Sequence, residues 1–324
     1  MSARPFRLGT RASALALWQT ERIRARLAER GYATDRIEIR TTGDVVQDIP
    51  LSRIGGRALF TKQLDDALLE GRIDLAVHSL KDLPTVLPDG IALAAVGLRE
   101  DPRDALVARN GHTWATLPRG GIVATSSLRR RAQLLRARPD LRVVDIRGNV
   151  DTRLAKLDRN EEWAAVLLAA AGLVRLGLAA RISERLPFDV MLPAPGQGAL
   201  AATVRAGDAG AADAVRRALH DPETELAVVA ERAFLRRLEG GCQVPVAAFA
   251  EVVRERGGAV VQLRGRVVSL TGDASVDGQR AGPAAGPVEA EAVGEGLAEQ
   301  LLGQGADAIL RSVRETAAEA VSEP

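Results

Sequence analysis

Over its first two hundred residues the chain alternates short apolar runs with amphipathic stretches. Residues 6–8 read as a first strand, and 9–13 as a loop in which Thr10 or Ser13 can cap the element that follows. A helix then runs to about Arg30, with Leu15, Trp18, Ile23 and Leu27 near one face and Gly31 as its stop. Residues 37–40 alternate as a strand, and 45–60 have no clear period and contain Gly55-Gly56, so a mobile loop is expected there. A helix over 61–69 ends at Gly71, and 73–77 and 91–96 are strands. Near Glu100-Asp101-Pro102 the chain is expected to cross into a second lobe, with strands at 121–124, 143–146 and 164–169 separated by helices. Residues 192–198, with two prolines and two glycines, read as a hinge, and 199–204 as a strand returning to the first lobe. Such alternation implies an α/β fold with mainly parallel sheets covered on both faces.

The last hundred residues have a different pattern. Asp221-Pro222 opens a helix, with Asp as cap and Pro in the first turn. Residues 244–253 and 259–270, joined at Gly257-Gly258, predict an antiparallel hairpin. Residues 271–287, rich in Gly, Ala and Pro, predict a loose connection, and helices over 288–302 and 306–318 finish the chain. The expected division is a first α/β lobe over 1–97 and 199–217, a second over 98–198 with hinges at its ends, and a small C-terminal α+β domain over 218–324. In that last part lies the chain's single cysteine, Cys242, behind Gly240-Gly241 on a turn between helix and strand. A lone cysteine is commonly a small buried hydrophobe, but glycines on a turn permit close approach of another group.

The 324 residues are 46% apolar and 27% charged, an ordinary globular composition for more than one domain. One cysteine excludes an internal disulfide and fits a reducing compartment, so the cytoplasm is expected. The apolar run 12–18 is too short to span a bilayer and is followed by Gln19, Glu21 and Arg22; no signal peptide or anchor is expected. A net charge of +2 argues against a nucleic-acid protein. With three histidines and one cysteine, no metal site is expected. Of 44 basic residues only Lys62, Lys81 and Lys156 are lysine, which singles out positions where a compact point charge is used in place of a guanidinium.

In open α/β sheets ligands bind beyond the carboxyl ends of strands. The polar residues gather there: Arg11 and Ser13, Lys81 and Asp82, Thr125 to Arg131, Arg147 and Arg153, and Arg175. This predicts a cleft for several carboxylates or phosphates, with Arg forks and helix N-termini as donors. Asp82 is the lone acid of the set, and its simplest use would be an ion pair with a neighbouring base. His78 reads as a packed histidine.

The runs Thr10-Arg11-Ala12-Ser13-Ala14-Leu15-Ala16-Leu17-Trp18-Gln19, His78-Ser79-Leu80-Lys81-Asp82, Glu100-Asp101-Pro102-Arg103-Asp104 and Thr125-Ser126-Ser127-Leu128-Arg129-Arg130 stand in order along the chain. Arg147-Gly148-Asn149-Val150, Leu192-Pro193-Ala194-Pro195-Gly196-Gln197-Gly198 and Glu239-Gly240-Gly241-Cys242-Gln243-Val244-Pro245 follow. Together they resemble the hydroxymethylbilane synthase (porphobilinogen deaminase) family from residue 10 to 245, while the tail from about 251 matches weakly. Ala58 stands where the family's mobile loop usually has Gly.

The resemblance implies two lobes like those of type-II periplasmic binding proteins, and a transferase that condenses four porphobilinogen units head to tail with loss of ammonia. The product would be the linear tetrapyrrole hydroxymethylbilane, passed on to uroporphyrinogen-III synthase, and the enzyme a cytoplasmic monomer. The chain would grow on a dipyrromethane cofactor held through a thioether to Cys242. Lys81, Thr125, Ser127, Arg129, Arg130 and Gln197 would hold that cofactor. Arg11, Ser13, Arg147, Arg153 and Arg175 would bind substrate carboxylates, and Asp82 would stabilise the cationic azafulvene left when ammonia departs. The rival readings are a non-catalytic two-lobed binding protein for a small polyanion and a cysteine hydrolase. Cys242 argues against the first, and the lack of a histidine in an obvious partner motif against the second.

Overall fold

The structure, a computed structural model, describes residues 4–45, 60–238, 244–256 and 258–322. Its strands are, in chain order, β1 (Phe6–Thr10), β2 (Thr34–Glu38), β3 (Leu75–Ser79), β4 (Ile91–Val96), β5 (Asp104–Ala108), β6 (Ile122–Ala124) and β7 (Arg142–Val144). Then come β8 (Trp163–Ala169), β9 (Glu184–Arg185), β10 (Leu200–Arg205), β11 (Val246–Glu255), β12 (Gly258–Val268) and β13 (Ser275–Pro283). They form two five-stranded sheets, ordered β2-β1-β3-β10-β4 and β7-β6-β8-β5-β9, and a three-stranded antiparallel sheet β11-β12-β13. The two larger sheets follow one plan. Four strands of each run in one direction, and a strand arriving from the other sheet's side of the chain inserts antiparallel among them. β5 is that guest in the second sheet and β10 in the first. The expectation of mainly parallel sheets therefore holds for strand direction, and the guest strands make both sheets mixed.

Local chemistry explains most boundaries. Ser13 caps the helix Ala14–Ala28, its side chain accepting from the Ala16 N–H at 3.3 Å, and Gly31 leaves it with φ of 80°. The buried stripe is Ala16, Thr20, Ile23 and Leu27, spaced for one helical face. Trp18, read from sequence as part of that face, lies off the stripe and is 38% exposed. The expected strand at 37–40 sits earlier, at Thr34–Glu38, and the expected loop over 45–60 falls almost wholly outside the described residues. β5 escaped the sequence reading because an acid opens its short apolar run, and β9 because it has two residues.

The expected loose connection over 271–287 is corrected: residues Ser275–Pro283 are the third strand of the C-terminal sheet, paired along the length of β12. Its glycines are packing positions rather than loop formers. A side chain at Gly278 would strike Leu301 and Leu297, and one at Gly282 would strike Val293, because the helix Pro287–Leu301 lies directly on that face. The core beneath contains Phe234, Leu263, Leu297 and Leu301.

The same helix crosses Pro222–Arg237 at Gly294, where a Cβ would come within 2.2 Å of the Ala230 carbonyl oxygen. Gly294→Ala should therefore destabilise the protein by about 1–3 kcal/mol, the usual range for overpacking. Gly303→Ala, with open space around the added carbon, should be near neutral. Denaturant midpoints of the two variants test this packing.

Candidate active site

Each larger sheet presents polar loops at the carboxyl ends of its parallel strands. β3 ends in the single turn Leu80–Asp82, which sets Lys81 and Asp82 at the mouth between the sheets. β6 ends in Thr125, whose hydroxyl accepts from the Ser127 N–H at 3.2 Å; Ser127 then caps the helix Leu128–Ala137, accepting from the Arg130 N–H at 3.4 Å. That cap fixes where Arg129 and Arg130 leave the helix.

Both guanidiniums turn inward onto Asp104, at the start of β5, which is fully buried. Arg129 contacts its two oxygens at 2.6 and 3.2 Å, and Arg130 approaches Oδ1 through Nε at 2.9 Å and Nη2 at 2.7 Å. Gln197 Nε2 donates to the same oxygen at 3.0 Å and to the Pro102 carbonyl, while its Oε1 accepts from Lys81 Nζ at 3.2 Å. Burial alone would push the Asp104 carboxyl up, but the two guanidiniums hold it well below the usual carboxylate range. Lys81, Gln197, Asp104, Arg129 and Arg130 are thus one network across the mouth.

Arg153 and Arg147 extend it. Burial, then the nearby Arg130 and Arg147, push Arg153 down to about 10, with Asp82 opposing. Burial and Arg130 likewise push Lys81 down to about 8, with Asp82 and Asp104 opposing. Buried cations pushed down by burial and by a shared neighbouring guanidinium mark a place that favours added negative charge.

On the other side of Asp82 a cavity opens, lined by Arg11, Ser13, Gln19, Thr61, Ser79 and Asp82 among others. The Arg11 guanidinium lies 4.4 Å from the centre of the Phe60 ring. His78 borders the same space and bonds Thr203 Oγ1 at 3.0 Å; burial pushes it down to about 3, so it is a neutral packed histidine, as the sequence suggests. Among the described residues no hydrogen bond or ion pair engages Asp82. The simple ion pair with Lys81 is not formed, since Lys81 donates to Gln197 instead.

Arg175 stands apart. Its guanidinium donates to the Gly198 carbonyl and lies 5.7 Å from the Trp18 ring centre, linking the crossover 192–198 to the helix Ala14–Ala28. Of the other lysines, Lys62 pairs with Asp66 on an exposed face and Lys156 donates to the Arg147 carbonyl. Cys242 lies outside the described residues. Asp104, which organises the network, was not singled out from sequence beyond its place in a matching run; an acid opening an apolar strand was the available signal.

Fold and site define a two-lobed α/β enzyme with a cationic cleft between mixed sheets and a smaller α+β unit behind it. Residues 6–213 match the family model described as porphobilinogen deaminase, dipyromethane cofactor binding domain, and 225–303 the one described as porphobilinogen deaminase, C-terminal domain. Porphobilinogen deaminase of Syntrophotalea carbinolica is 50% identical over 315 residues, 97% of this chain and 97% of that one. That of Rubrobacter xylanophilus is 56% identical over 307 residues, 95% and 97%. Among solved structures, the methionine binding protein MetQ aligns at 12% identity with a TM-score of 0.43, over 70% of this chain and 93% of that one. The chain belongs to the porphobilinogen deaminase (hydroxymethylbilane synthase) family. It is accordingly a transferase of tetrapyrrole biosynthesis that works with a covalently attached dipyrromethane, and the reading as a non-catalytic binding protein falls.

Asp104→Asn leaves two buried guanidiniums without their carboxylate. It should cost about 3–5 kcal/mol, as for breaking a buried pair from one side. Asp66→Asn, which breaks the exposed pair with Lys62, should cost less than about 1 kcal/mol. Chemical denaturation of both variants measures the difference.

Proposed function

We propose that successive porphobilinogen units react in the cavity beside Asp82, with the dipyrromethane anchored at Cys242 and its carboxylates lying in the adjoining cationic network. The carrying observation is that burial, and then the Arg130 guanidinium, push both Lys81 and Arg153 down. A cluster short of anions suits a ligand that brings an acetate and a propionate on every ring. Lys81, Thr125, Ser127, Arg129, Arg130 and Gln197 would hold the cofactor, and Arg11, Ser13, Arg147, Arg153 and Arg175 the substrate. When bound, the dipyrromethane supplies the terminal ring to which each new unit is joined. Cys242, five residues beyond the helix Pro222–Arg237, is the single thiol able to carry it. The units of the protein in this reading are 1–97 with 199–217, 98–198, and 218–324.

Asp82 has the catalytic role. An anion in a cleft for polyanions works against ground-state binding, so its use lies in the transition state. As ammonia leaves, positive charge develops on the substrate's methylene carbon, and an unpaired carboxylate nearby stabilises it. The absence of any ion pair to Asp82 among the described residues supports this role over that of a loop-holding partner. No described helix is long and apolar enough to cross a membrane, which with the lone cysteine favours a cytoplasmic enzyme. We place it there as a monomer whose product passes to uroporphyrinogen-III synthase.

Intact mass tests the anchor: purified protein should be heavier than its sequence by two linked pyrrole units, and Cys242→Ala should lose them. Unmodified mass in active protein rules the anchor out. For Asp82→Asn, with loading checked by mass, single-turnover ammonia release should fall by about two powers of ten while substrate affinity holds or tightens. Asp82→Glu should keep more activity than Asn. Near-normal turnover in the loaded Asn variant removes Asp82 from the chemistry.

A further inference from the structure

Arg266 is a buried guanidinium near the end of β12, between Gly265 and Val267, and is 7% exposed. Asp277 lies directly opposite on β13 and accepts from its Nε, yet Asp277 itself stays exposed. A cross-strand ion pair of this kind gains little from burying one partner. The guanidinium has a second use. Its Nη1 reaches out of the C-terminal sheet to the helix Leu128–Ala137 and donates to Gln133 Oε1 at 3.0 Å. Gln133 passes the contact on. Its Oε1 also accepts from the Leu192 N–H at 2.9 Å, and its Nε2 donates to the Leu192 carbonyl at 2.9 Å. The same carbonyl accepts from Arg129 Nη1 at 2.6 Å, and that nitrogen also donates to Asp104. Hydrogen bonds therefore run without a gap from the C-terminal sheet to Arg129, through residues that are all buried. Asp104 and Leu192 take three of the N–H groups of Arg129, so of its five, two remain for a ligand.

The rest of this junction braces the same helix. Arg136 donates to Ser275 Oγ at 2.9 Å and to Asp277 Oδ2 at 3.2 Å. Gly272, with φ of 81°, lies against the helix backbone, where a Cβ would come within 2.3 Å of the Arg136 nitrogen. The helix thus begins on Ser127 in its own lobe, while its far half rests on the C-terminal sheet. We propose that Arg266 is a positioning residue for the dipyrromethane: through Gln133 and Leu192 it sets where Arg129 presents its remaining N–H groups. The unit that follows Cys242 in the chain then also places one of the guanidiniums that the attached cofactor has to reach. A ligand tied covalently at one end tolerates little play in the cation that holds its other groups. An apolar side chain would fill position 266 without an ion pair. A charge there is accounted for by a hydrogen bond that has to hold across the boundary between two units, and charge-assisted bonds are the strong ones. The inference rests on Arg129 and Cys242 holding the cofactor.

The test uses full-length protein produced without its cofactor and then given porphobilinogen, with the gain of two linked pyrrole units followed by intact mass. Arg266→Met should slow that gain by about 10-fold, the scale of one lost hydrogen bond to a charged group. Arg266→Lys, whose ammonium can still donate to Gln133, should recover part of the rate. Gln133→Met should slow loading at least as much as Arg266→Met. Adding Arg266→Met to Gln133→Met should slow it little further, because both break one route. Gly294→Ala, destabilised in the C-terminal core away from this route, should load at the wild-type rate and controls for lost stability. Should Arg266→Met not fold, Arg266→Lys and Gln133→Met carry the same comparison. Wild-type loading in Arg266→Met overturns the proposal. So does equal slowing in Gly294→Ala at a matched melting temperature, or effects that multiply fully in the double variant. Arg129→Leu run alongside separates this inference from the reading beneath it. If Arg129→Leu fails to load while Arg266→Met loads normally, only the positioning role falls. If Arg129→Leu loads normally, Arg129 has no hold on the cofactor and both fall.

Discussion

The cleft depends on one buried carboxylate. Asp104 begins a strand whose other residues are apolar, so its charge is carried into the interior by the sheet itself. There it is tolerated because two guanidiniums and an amide converge on it, and they in turn are held where a solvated arginine would wander. The order of dependence matters. Ser127 sets the helix that carries Arg129 and Arg130, Asp104 turns both inward, and Gln197 links the group to Lys81 on the other sheet. The cations of the site are therefore fixed before any ligand arrives, as electrostatic stabilisation requires.

Gln197 also belongs to a second junction. Its backbone carbonyl accepts from Arg99 Nε at 2.9 Å, and Arg99 forms a two-pronged pair with Glu231, which is fully buried. The Glu231 carboxylate takes further bonds from the Gly196 and Ala250 N–H groups. Glu231 sits on the helix that runs toward Cys242. The two crossovers touch each other as well: Gly198, with φ of 93°, lies so close to the Glu100 carbonyl that any side chain there would collide. The helix Pro222–Arg237 is thus clasped to the crossover that carries Gln197. Arg232 of the same helix reaches the Leu83 and Pro84 carbonyls just past Asp82, so the helix that leads toward Cys242 also supports the turn that bears Asp82.

Much of this was legible in the residues. Strand ends bearing Arg, Lys and Ser located the cleft, because polar residues that close an apolar strand have few structural uses. Ser13 as a cap and Asp221-Pro222 as a helix start were readable, since capping depends on neighbours in sequence. What stayed hidden depended on partners far away. Nothing near Asp104 in sequence shows that Arg129, Arg130 and Gln197 will meet it. Gly278 and Gly282 looked like loop residues because the helix that needs their bare backbone comes later in the chain. Trp18 was read onto the face of Ile23 and Leu27, whereas it lies off that stripe beside Arg175, a partner far along the chain.

The fixed charges also constrain how the product can grow. Around the mouth, Lys81, Arg129, Arg130, Arg147 and Arg153 gather beside the carboxylates of Asp82 and Asp104. Each porphobilinogen unit brings two carboxylates, so the negative charge to be held grows with every step. Beyond that cluster stand Arg11 at the cavity and Arg175 at the crossover 192–198. A lengthening polyanion cannot find a fresh set of cations at every step in a cleft of this composition. If the reacting end stays at Asp82 as proposed, its carboxylates pass from one guanidinium to the next. Such handing-on would call for lobes that shift relative to one another. The crossover 192–198, tied through Gln197 to the cation network, is placed to couple such a shift to the charge the cleft contains.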